Sequence, residues 1–214
     1  MGILYKTLDM ESGGGRYQLV LHDSGGPQVL ASGPAMEVRS ASFPSCGLEL
    51  TGAPHFAHRL PWATRGGRFV VARSEAYELD LFEGARSVLR VVRDVPGREI
   101  TRARALAELE DYRIGDCRVP PAEALRGFGY VGKLSAVADM RISPSGEFWV
   151  LRGKLKGEQQ KVDIFRPDGT YVGTTIESPF PAVFMSDDRI VAISLDALGV
   201  PILTAYKIVR GRIP

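Results

Sequence analysis

A short unit of two β-strands joined by a tight turn recurs along this chain and limits what it can fold into. Three stretches share it, and they begin at Tyr17 (YQLVLHDSGGPQVL), Tyr77 (YELDLFEGARSVLRVV) and Lys161 (KVDIFRPDGTYVGTT). Each has alternating apolar residues, then a turn that contains glycine, then a second β-rich run, which is typical of a β-hairpin. The sequence therefore predicts an all-β chain built from repeated hairpins.

A second repeated unit precedes the last two of these hairpins. It begins at Pro61 (PWATRGGRFVVAR) and Ala138 (ADMRISPSGEFWVLR), and a third copy at Ala182 (AVFMSDDRIVAIS) is followed by one long strand from Ile202 to Val209. Joining the two units gives four short antiparallel strands in roughly 35 to 45 residues, the size of a β-propeller blade. A lone sheet of this kind cannot bury both of its faces, so such units stack on one another.

The predicted domain is a single partial β-propeller over residues 1–214. It has an outer hairpin at Tyr17–Leu30, blades at about Pro61–Arg93 and Ala138–Ile176, and a final three-stranded blade at Ala182–Val209. About three and a half blades do not close a ring, since propellers have four to eight. We expect Ile3–Thr7 to supply the missing fourth strand if the ring closes, or a partner chain to add one at the bare edge.

Two segments interrupt the repeats. Residues from about 100 to 127 form a predicted helical excursion, with Thr101 as the N-cap of a helix within Ile100–Arg113 and a second helical turn at Ala122–Arg126. The stretch Gly33–His58 is rich in Ser, Gly and Pro and is predicted to be a long loop with one strand near Leu48–Leu50.

The joined segments resemble bacterial six-bladed β-propellers of the NHL-like or TolB-like kind. The resemblance rests on SPSGEFWVLRG at Ser143–Gly153, on KVDIFRPDGTYVGTT from Lys161, and on the closing DDRIVAISLDALGVPILTAYKIV. It covers most of the chain from about Phe56 onward. These motifs are specific for the blade and carry no information about activity.

The resemblance also has consequences for completeness and location. Such proteins are commonly much longer and often begin with an export or lipoprotein signal, so the chain is expected to be the C-terminal part of a propeller, or else one half of a homodimer that completes a ring. As written, the N-terminus MGILYKTLDM has no secretory signal, which favours the cytoplasm, whereas the resemblance implies export for a chain truncated at its N-terminus.

The net charge, the hydropathy and the cysteine spacing exclude several classes of partner and site. The net charge of +2 gives no field of the kind that attracts nucleic acid, and no window approaches the roughly 20 apolar residues of a membrane helix. Cys46 and Cys117 lie far apart with no zinc or dithiol spacing, and two separate buried thiols are favoured over one disulfide.

Candidate site residues each have a plainer structural interpretation. His55 and His58 are three apart, but Pro54 and Pro61 favour a loop without a metal. Ser12–Arg16 is glycine-rich like a phosphate loop, yet a strand follows it where a helix is required, so it is predicted to be a turn.

Basic and aromatic residues are treated in the same way. The arginine-rich stretch is predicted to be a solvated face that extends from the outer strand into the helix, with Glu99, Glu108 and Glu110 as partners. The alternative is a surface that binds an anion or nucleic acid. Its arginines are Arg86, Arg90, Arg93, Arg98, Arg102 and Arg104. Trp62 and Trp149 are predicted to pack between neighbouring blades.

We expect a binding or scaffold module that is not an enzyme. No Gly-x-Ser-x-Gly elbow is present, His22 falls in a hairpin turn, and no catalytic residue, metal ligand or cofactor is assigned. The ligand, a protein or a small molecule, is expected at the loop face of the propeller. The alternative is a propeller hydrolase or lyase whose active site lies at the central axis and is assembled from distant blades.

Overall fold

The hairpin units of the sequence fold into antiparallel sheets that follow one another along the chain. The computed structural model describes residues 3–11, 14–196 and 198–209. Four larger sheets pack face to face in chain order, and two two-stranded sheets and two short helices form a separate layer. No closed ring is detected among the described residues, so the all-β class is confirmed while ring closure is not.

Sheet I is formed by β1 (Ile3–Glu11), β2 (Gly14–Asp23) and β3 (Gly26–Ser32). β1 pairs with β2 along its whole length, with Ile3 opposite His22. The prediction that Ile3–Thr7 completes the final sheet was therefore wrong. Because β1 and β2 are neighbours in sequence, their pairing closes only a short loop and costs little chain entropy.

Sheets II and III are the two four-stranded units that the sequence predicts. Sheet II has the order β6 (Trp62–Arg65), β7 (Arg68–Arg73), β8 (Glu78–Glu83) and β9 (Arg86–Val92). Sheet III has the order β12 (Val137–Ile142), β13 (Phe148–Arg152), β14 (Lys161–Phe165) and β15 (Tyr171–Ile176). The turn between β6 and β7 uses Gly66 and Gly67 at φ values of 58° and 80°, as a two-residue hairpin turn requires.

Sheet IV has three strands, as predicted for the end of the chain. They are β16 (Val183–Ser186), β17 (Arg189–Leu195) and β18 (Pro201–Lys207), in that order. Ile190 and Phe184 face sheet III, while Ile193 and Leu203, paired across β17 and β18, lie on the opposite face and are largely exposed.

Aromatic pairs mark the interfaces between the four sheets. Phe148 and Phe165 stack with ring centres 5.3 Å apart where sheets II and III meet, and Phe69 stacks on Phe82 at 5.0 Å on the side of sheet II that faces sheet I. Each fully buried side chain of this size contributes about 1.5–3 kcal/mol. These clusters hold the four sheets together in the described part of the chain.

A separate layer, here called the helical module, lies beside the sheets. It contains β4 (Arg39–Phe43), β5 (Leu48–Gly52), α1 (Arg102–Glu108), β10 (Arg113–Ile114), β11 (Cys117–Arg118) and α2 (Pro121–Phe128). The Thr101 side chain accepts a hydrogen bond of 3.2 Å from the Arg104 amide, which confirms the predicted N-cap. Within the predicted loop Gly33–His58, the strand predicted near Leu48–Leu50 is confirmed as β5. The loop also contains a strand that was not predicted, β4, which pairs with β5 because Phe43 and Ala41 pack under α2.

A disulfide joins the two halves of the helical module. Cys46 in the β4–β5 turn and Cys117 in β11 are bonded, with Cα atoms 5.9 Å apart and a sequence separation of 71. The prediction of two separate thiols was therefore wrong. Burial of Phe43, Val119 and Leu125 in one cluster brings these distant segments together, and the sequence spacing alone does not reveal this.

The helical module is fixed to the loop between β13 and β14. Lys156 donates from its backbone amide to Glu108 Oε1 at 2.8 Å, and its carbonyl accepts from Arg104 Nη2 at 2.5 Å.

Neither described helix has the length and apolar character needed to cross a bilayer.

Candidate functional site: a cationic cleft between two sheets

A cleft of about 760 Å³ lies between sheets II and III, where the chain leaves β9 for the helical module. Five short segments line it, residues 75–77, 93–98, 133–136, 152–153 and, in the last segment, 158, 159 and 161. We call it the cationic cleft because five of its lining residues are basic, namely Arg93, Arg98, Lys133, Arg152 and Lys161.

Asp163 of β14 lies beneath the floor of the cationic cleft, which is formed by Tyr77, Arg93 and Arg152. Its side chain is fully buried and accepts hydrogen bonds from Arg152 Nε at 2.8 Å, Arg152 Nη2 at 2.9 Å and Thr174 Oγ1 at 2.5 Å. The Tyr77 hydroxyl of sheet II donates a further hydrogen bond of 2.6 Å to Oδ2. The carboxylate is therefore held in one orientation by groups from two sheets.

Arg93 brings a second guanidinium to the same carboxylate. Its Nη1 lies 2.8 Å from Asp163 Oδ2, and its central carbon lies 3.9 Å from the centre of the Tyr171 ring. Nη1 makes this ion pair without a hydrogen bond to any described residue. Stacking on the aromatic ring fixes the guanidinium plane and leaves N–H donors directed elsewhere.

Two arginines therefore share one buried carboxylate, which leaves one positive charge unbalanced. Nearby, Arg98 is neutralised by Glu158 at 2.5 Å, whereas Lys133 and Lys161 make no ion pair with any described residue. The acidic lining residues are Glu75, Asp94 and Glu158. Even with Asp163 included, the basic side chains exceed the acidic ones by one, and the excess lies at the partly buried floor.

The surroundings fix the protonation states of the floor. Burial raises the pKa of Asp163, but the hydrogen bonds from Arg152, Thr174 and Tyr77 together lower it by more than burial raises it. The pKa of Asp163 therefore lies below its usual value. Burial, together with the charge of Asp163, raises the pKa of Tyr77 well above its usual range. Near neutral pH, Asp163 is therefore a carboxylate and Tyr77 a hydrogen-bond donor.

The repeat of the sequence accounts for part of this arrangement. Asp80 lies opposite Val71 in sheet II and Asp163 lies opposite Val150 in sheet III, and in both sheets an arginine follows two residues after that valine. The Arg–Asp pair is thus an internal feature of each four-stranded sheet. The cationic cleft differs because Tyr77 and Arg93 reach Asp163 from the neighbouring sheet.

Sequence reasoning missed Tyr77, Arg152 and Asp163. The repeated arginine before the turn and aspartate after it, Arg73 with Asp80 and Arg152 with Asp163, was the available signal. It identifies the pair within a sheet but cannot show which arginine the next sheet supplies.

The two candidate histidines do not face a common point. His55 lies 3.3 Å through Nε2 from the Ala124 carbonyl and packs edge-on against Tyr112, whereas His58 Nδ1 lies 3.0 Å from Ser135 Oγ. Burial lowers the pKa of both imidazoles. Within the described ranges, no three His, Cys, Asp or Glu side chains are grouped to hold a metal ion.

The arginine-rich stretch is paired differently from the prediction. Three of the arginines form ion pairs that were not predicted: Arg90 with Asp80 at 2.6 Å, Arg93 with Asp163, and Arg98 with Glu158. Among the described residues, Glu108 is the one predicted acidic partner that binds an arginine of the stretch, Arg104, at 2.9 Å. The stretch is thus partly a wall of the cationic cleft. The predicted solvated face is confirmed for Arg86, Arg90, Arg98 and Arg102, which are exposed, whereas Arg93 is half-buried.

The other candidates lie away from the cationic cleft. Trp62 packs in the cluster between sheets I and II, and Trp149 packs edge-on against Phe184 between sheets III and IV, so the predicted packing roles are confirmed. Ser12 and Gly13 of the glycine-rich turn lie outside the described residues.

No protein-family model matches this sequence, and a comparison with curated proteins finds no similar one. The site is therefore interpreted from its own chemistry. The hydrolase or lyase with an active site at the axis stays a prediction.

Proposed function

We propose that the chain is a non-catalytic binding module whose four larger sheets are blades of an incomplete β-propeller of the NHL-like or TolB-like kind. Support comes from the strand order within sheets II and III and from the face-to-face packing of consecutive sheets in chain order. A stack of rigid sheets holds its connecting loops in fixed positions, which suits recognition.

The proposed ligand is a small anion with a carboxylate or phosphate group, bound in the cationic cleft. One observation carries this proposal: Arg93 and Arg152 converge on the single carboxylate of Asp163. A guanidinium presents paired donors that match carboxylate and phosphate oxygens, and it stays charged at all physiological pH values. A ligand anion would balance the surplus charge and engage donors that Asp163 leaves free.

The cleft has the size and position that such a site needs. Its volume of about 760 Å³ is within the usual range for small-molecule pockets. The side chain of Lys133 packs against Gly97, and Lys161 is the first residue of β14. Two flexible cationic side chains therefore lie beside the arginines of the cleft. These lysines would bind the part of the ligand that extends away from the floor.

The disulfide bears on where the module works. Disulfides persist mainly in oxidising compartments, and Cys46–Cys117 joins two segments of the helical module. We therefore place the binding module in an oxidising compartment, in agreement with the export that the family resemblance implies.

The test is a titration of the purified chain with inorganic phosphate and with succinate, followed by two-dimensional amide NMR and calorimetry. We expect saturable shifts for amides of residues 93–98 and 152–161, and weaker binding at higher salt because the contact is electrostatic. Arg93→Gln should weaken binding at least tenfold, and Lys161→Ala should weaken it a few fold. The control is Arg86→Ala at the start of β9, 80% exposed, which should bind as the wild type does.

Two results would count against the proposal. One is the absence of saturable binding of either anion to a folded chain. The other is equal binding by Arg93→Gln and Arg86→Ala, since a surface effect of general charge would produce that pattern.

A further inference from the structure

Sheet IV ends one strand short of its neighbours. Sheets II and III each have four strands, whereas β18 is the last strand of sheet IV and pairs only with β17 among the described residues. The outer edge of β18 therefore presents backbone N–H and C=O groups without strand partners.

A groove lies beside that open edge. It has a volume of about 440 Å³ and is bounded on one side by the outer strands of sheet III, through Ile164 and Val172, and on the other by Tyr206 and Ile208. In sheet III, β15 pairs with the outer edge of the third strand, β14; the corresponding edge in sheet IV is the open edge of β18. The groove is thus the space that a fourth strand of sheet IV would occupy.

Trp149 places an unpaired hydrogen-bond donor in the groove. The side chain lines the groove and is only 5% exposed, yet its Nε1 donor has no hydrogen-bond partner among the described residues. A buried donor without an acceptor costs about 1–3 kcal/mol. A backbone carbonyl that enters the groove would supply the acceptor.

The edge strand itself has little protection. From Ile202 to Tyr206, β18 carries no charged side chain, while the outer strand of sheet II carries Arg86 and Arg90. Natural proteins commonly place charges, prolines or bulges on open edges to prevent strand addition. On β18, such residues are confined to the two ends, Pro201 and Lys207.

A second copy of the chain does not fit the groove. If β18 paired with its copy across a twofold axis perpendicular to sheet IV, both copies of sheet III would lie on the same side. Because sheet III has four strands over the three of sheet IV, β15 of each copy would overlap β14 of the other copy. A single extended strand has no such conflict.

We propose that the groove beside β18 binds an extended peptide segment of a protein partner, which adds as the fourth, antiparallel strand of sheet IV. The backbone of the segment pairs with β18, as in other cases of strand addition. Alternate residues of the segment are apolar and face Ile164 and Val172, because side chains alternate across a strand. This proposal does not depend on ligand binding in the cationic cleft.

The test uses a synthetic peptide of sequence TYVGTTIE, residues 170–177, which already acts as a fourth strand in sheet III. Its binding to the whole chain is measured by calorimetry, and amide hydrogen exchange locates the contact. We expect saturable binding and at least tenfold slower exchange for amides of β18, with no change in β3, the edge strand of sheet I. A peptide with proline at the positions of Val172 and Thr174 should not bind.

Variants of the protein separate the groove from general stickiness. Val172→Arg should weaken peptide binding at least tenfold, and Trp149→Phe, which keeps the packing but removes the donor, a few fold. The control Val29→Arg, on the exposed edge strand of sheet I, should leave binding unchanged. The proposal is overturned if β18 gains no protection, if Val172→Arg binds as well as Val29→Arg, or if β18 is already protected by self-association without peptide.

Discussion

The hydroxyl of Tyr77 donates a hydrogen bond of 2.6 Å to Oδ2 of Asp163, and this bond joins sheet II to sheet III at the floor of the cationic cleft. The two residues are 86 positions apart in the chain. One buried contact therefore serves both as part of the interface between two sheets and as the orienting element of the candidate site.

Replacing Tyr77 with phenylalanine tests that contact. Tyr77→Phe removes one hydrogen bond to a buried carboxylate and keeps the ring, so we expect a loss of about 1.5–3 kcal/mol in the free energy of unfolding, measured by urea denaturation. Tyr5→Phe, at a ring that is 40% exposed, is the control and should change stability by less than about 0.5 kcal/mol. Equal losses in the two variants would contradict the assigned role.

Replacing Asp163 should have a larger effect. Asp163→Asn keeps the shape of the side chain but leaves Arg93 and Arg152 without a counter-charge, so we expect a loss of about 3–5 kcal/mol. Asp168→Asn, in the exposed turn between β14 and β15, is the matched control. A loss at Asp163 no larger than that at Asp168 would show that the two arginines are satisfied in another way.

The same carboxylate gives a pH dependence of known sign. The pKa of Asp163 is lower in the folded chain than in the unfolded one, so its contribution to stability is complete above the unfolded value of about 3.9 and is lost as the pH falls through the folded value. We expect unfolding free energies measured between about pH 5 and pH 3 to fall more steeply for the wild type than for Asp163→Asn. Parallel curves would contradict a lowered pKa.

Reduction of the disulfide should destabilise the chain. The bond closes a loop with a sequence separation of 71, for which chain entropy gives a contribution of about 4 kcal/mol. We expect a lower Tm in dithiothreitol, together with faster hydrogen exchange in α1 and α2. A Cys46→Ala, Cys117→Ala double variant should show no effect of the reductant. An unchanged Tm for the reduced wild type would mean that the packing of the helical module is sufficient alone.

Gly169 offers a test of the outer contact between sheets II and III. It lies in the β14–β15 turn at φ 85°, and a Cβ there would lie 2.7 Å from Leu89 Cδ2 of β9. Gly157 has a similar φ of 79°, but a Cβ would meet no atom within 4 Å. Both alanine variants add backbone strain, so Gly169→Ala should cost about 1–3 kcal/mol more than Gly157→Ala because it alone overpacks the interface. Equal Tm values would contradict a close contact at this site.

Much of the fold could be predicted because its determinants are local. The alternation in Tyr77–Val92 and Lys161–Thr175, and the turns at Gly66–Gly67 and Ser143–Gly146, depend on neighbouring residues only. β5 was predicted, near Leu48–Leu50, but β4 was not, because the short strand Arg39–Phe43 has weak alternation and owes its position to α2.

The candidate site could not be predicted for a related reason. Arg93 follows the last strand of sheet II and looks like one member of a basic surface stretch, yet it binds an aspartate 70 residues further along. The pairing of Cys46 with Cys117 also depends on how distant segments pack. Such contacts follow from the order in which sheets stack, and spacing within the sequence does not record it.

The most direct test of the central claim, that the cationic cleft binds an anion, is a crystal structure of the chain soaked in selenate, with anomalous data collected at the selenium edge. We expect an anomalous peak within hydrogen-bonding distance of the Arg93 or Arg152 guanidinium, and its loss in crystals of Arg93→Gln. Peaks at exposed arginines such as Arg86, with none in the cleft, would contradict it.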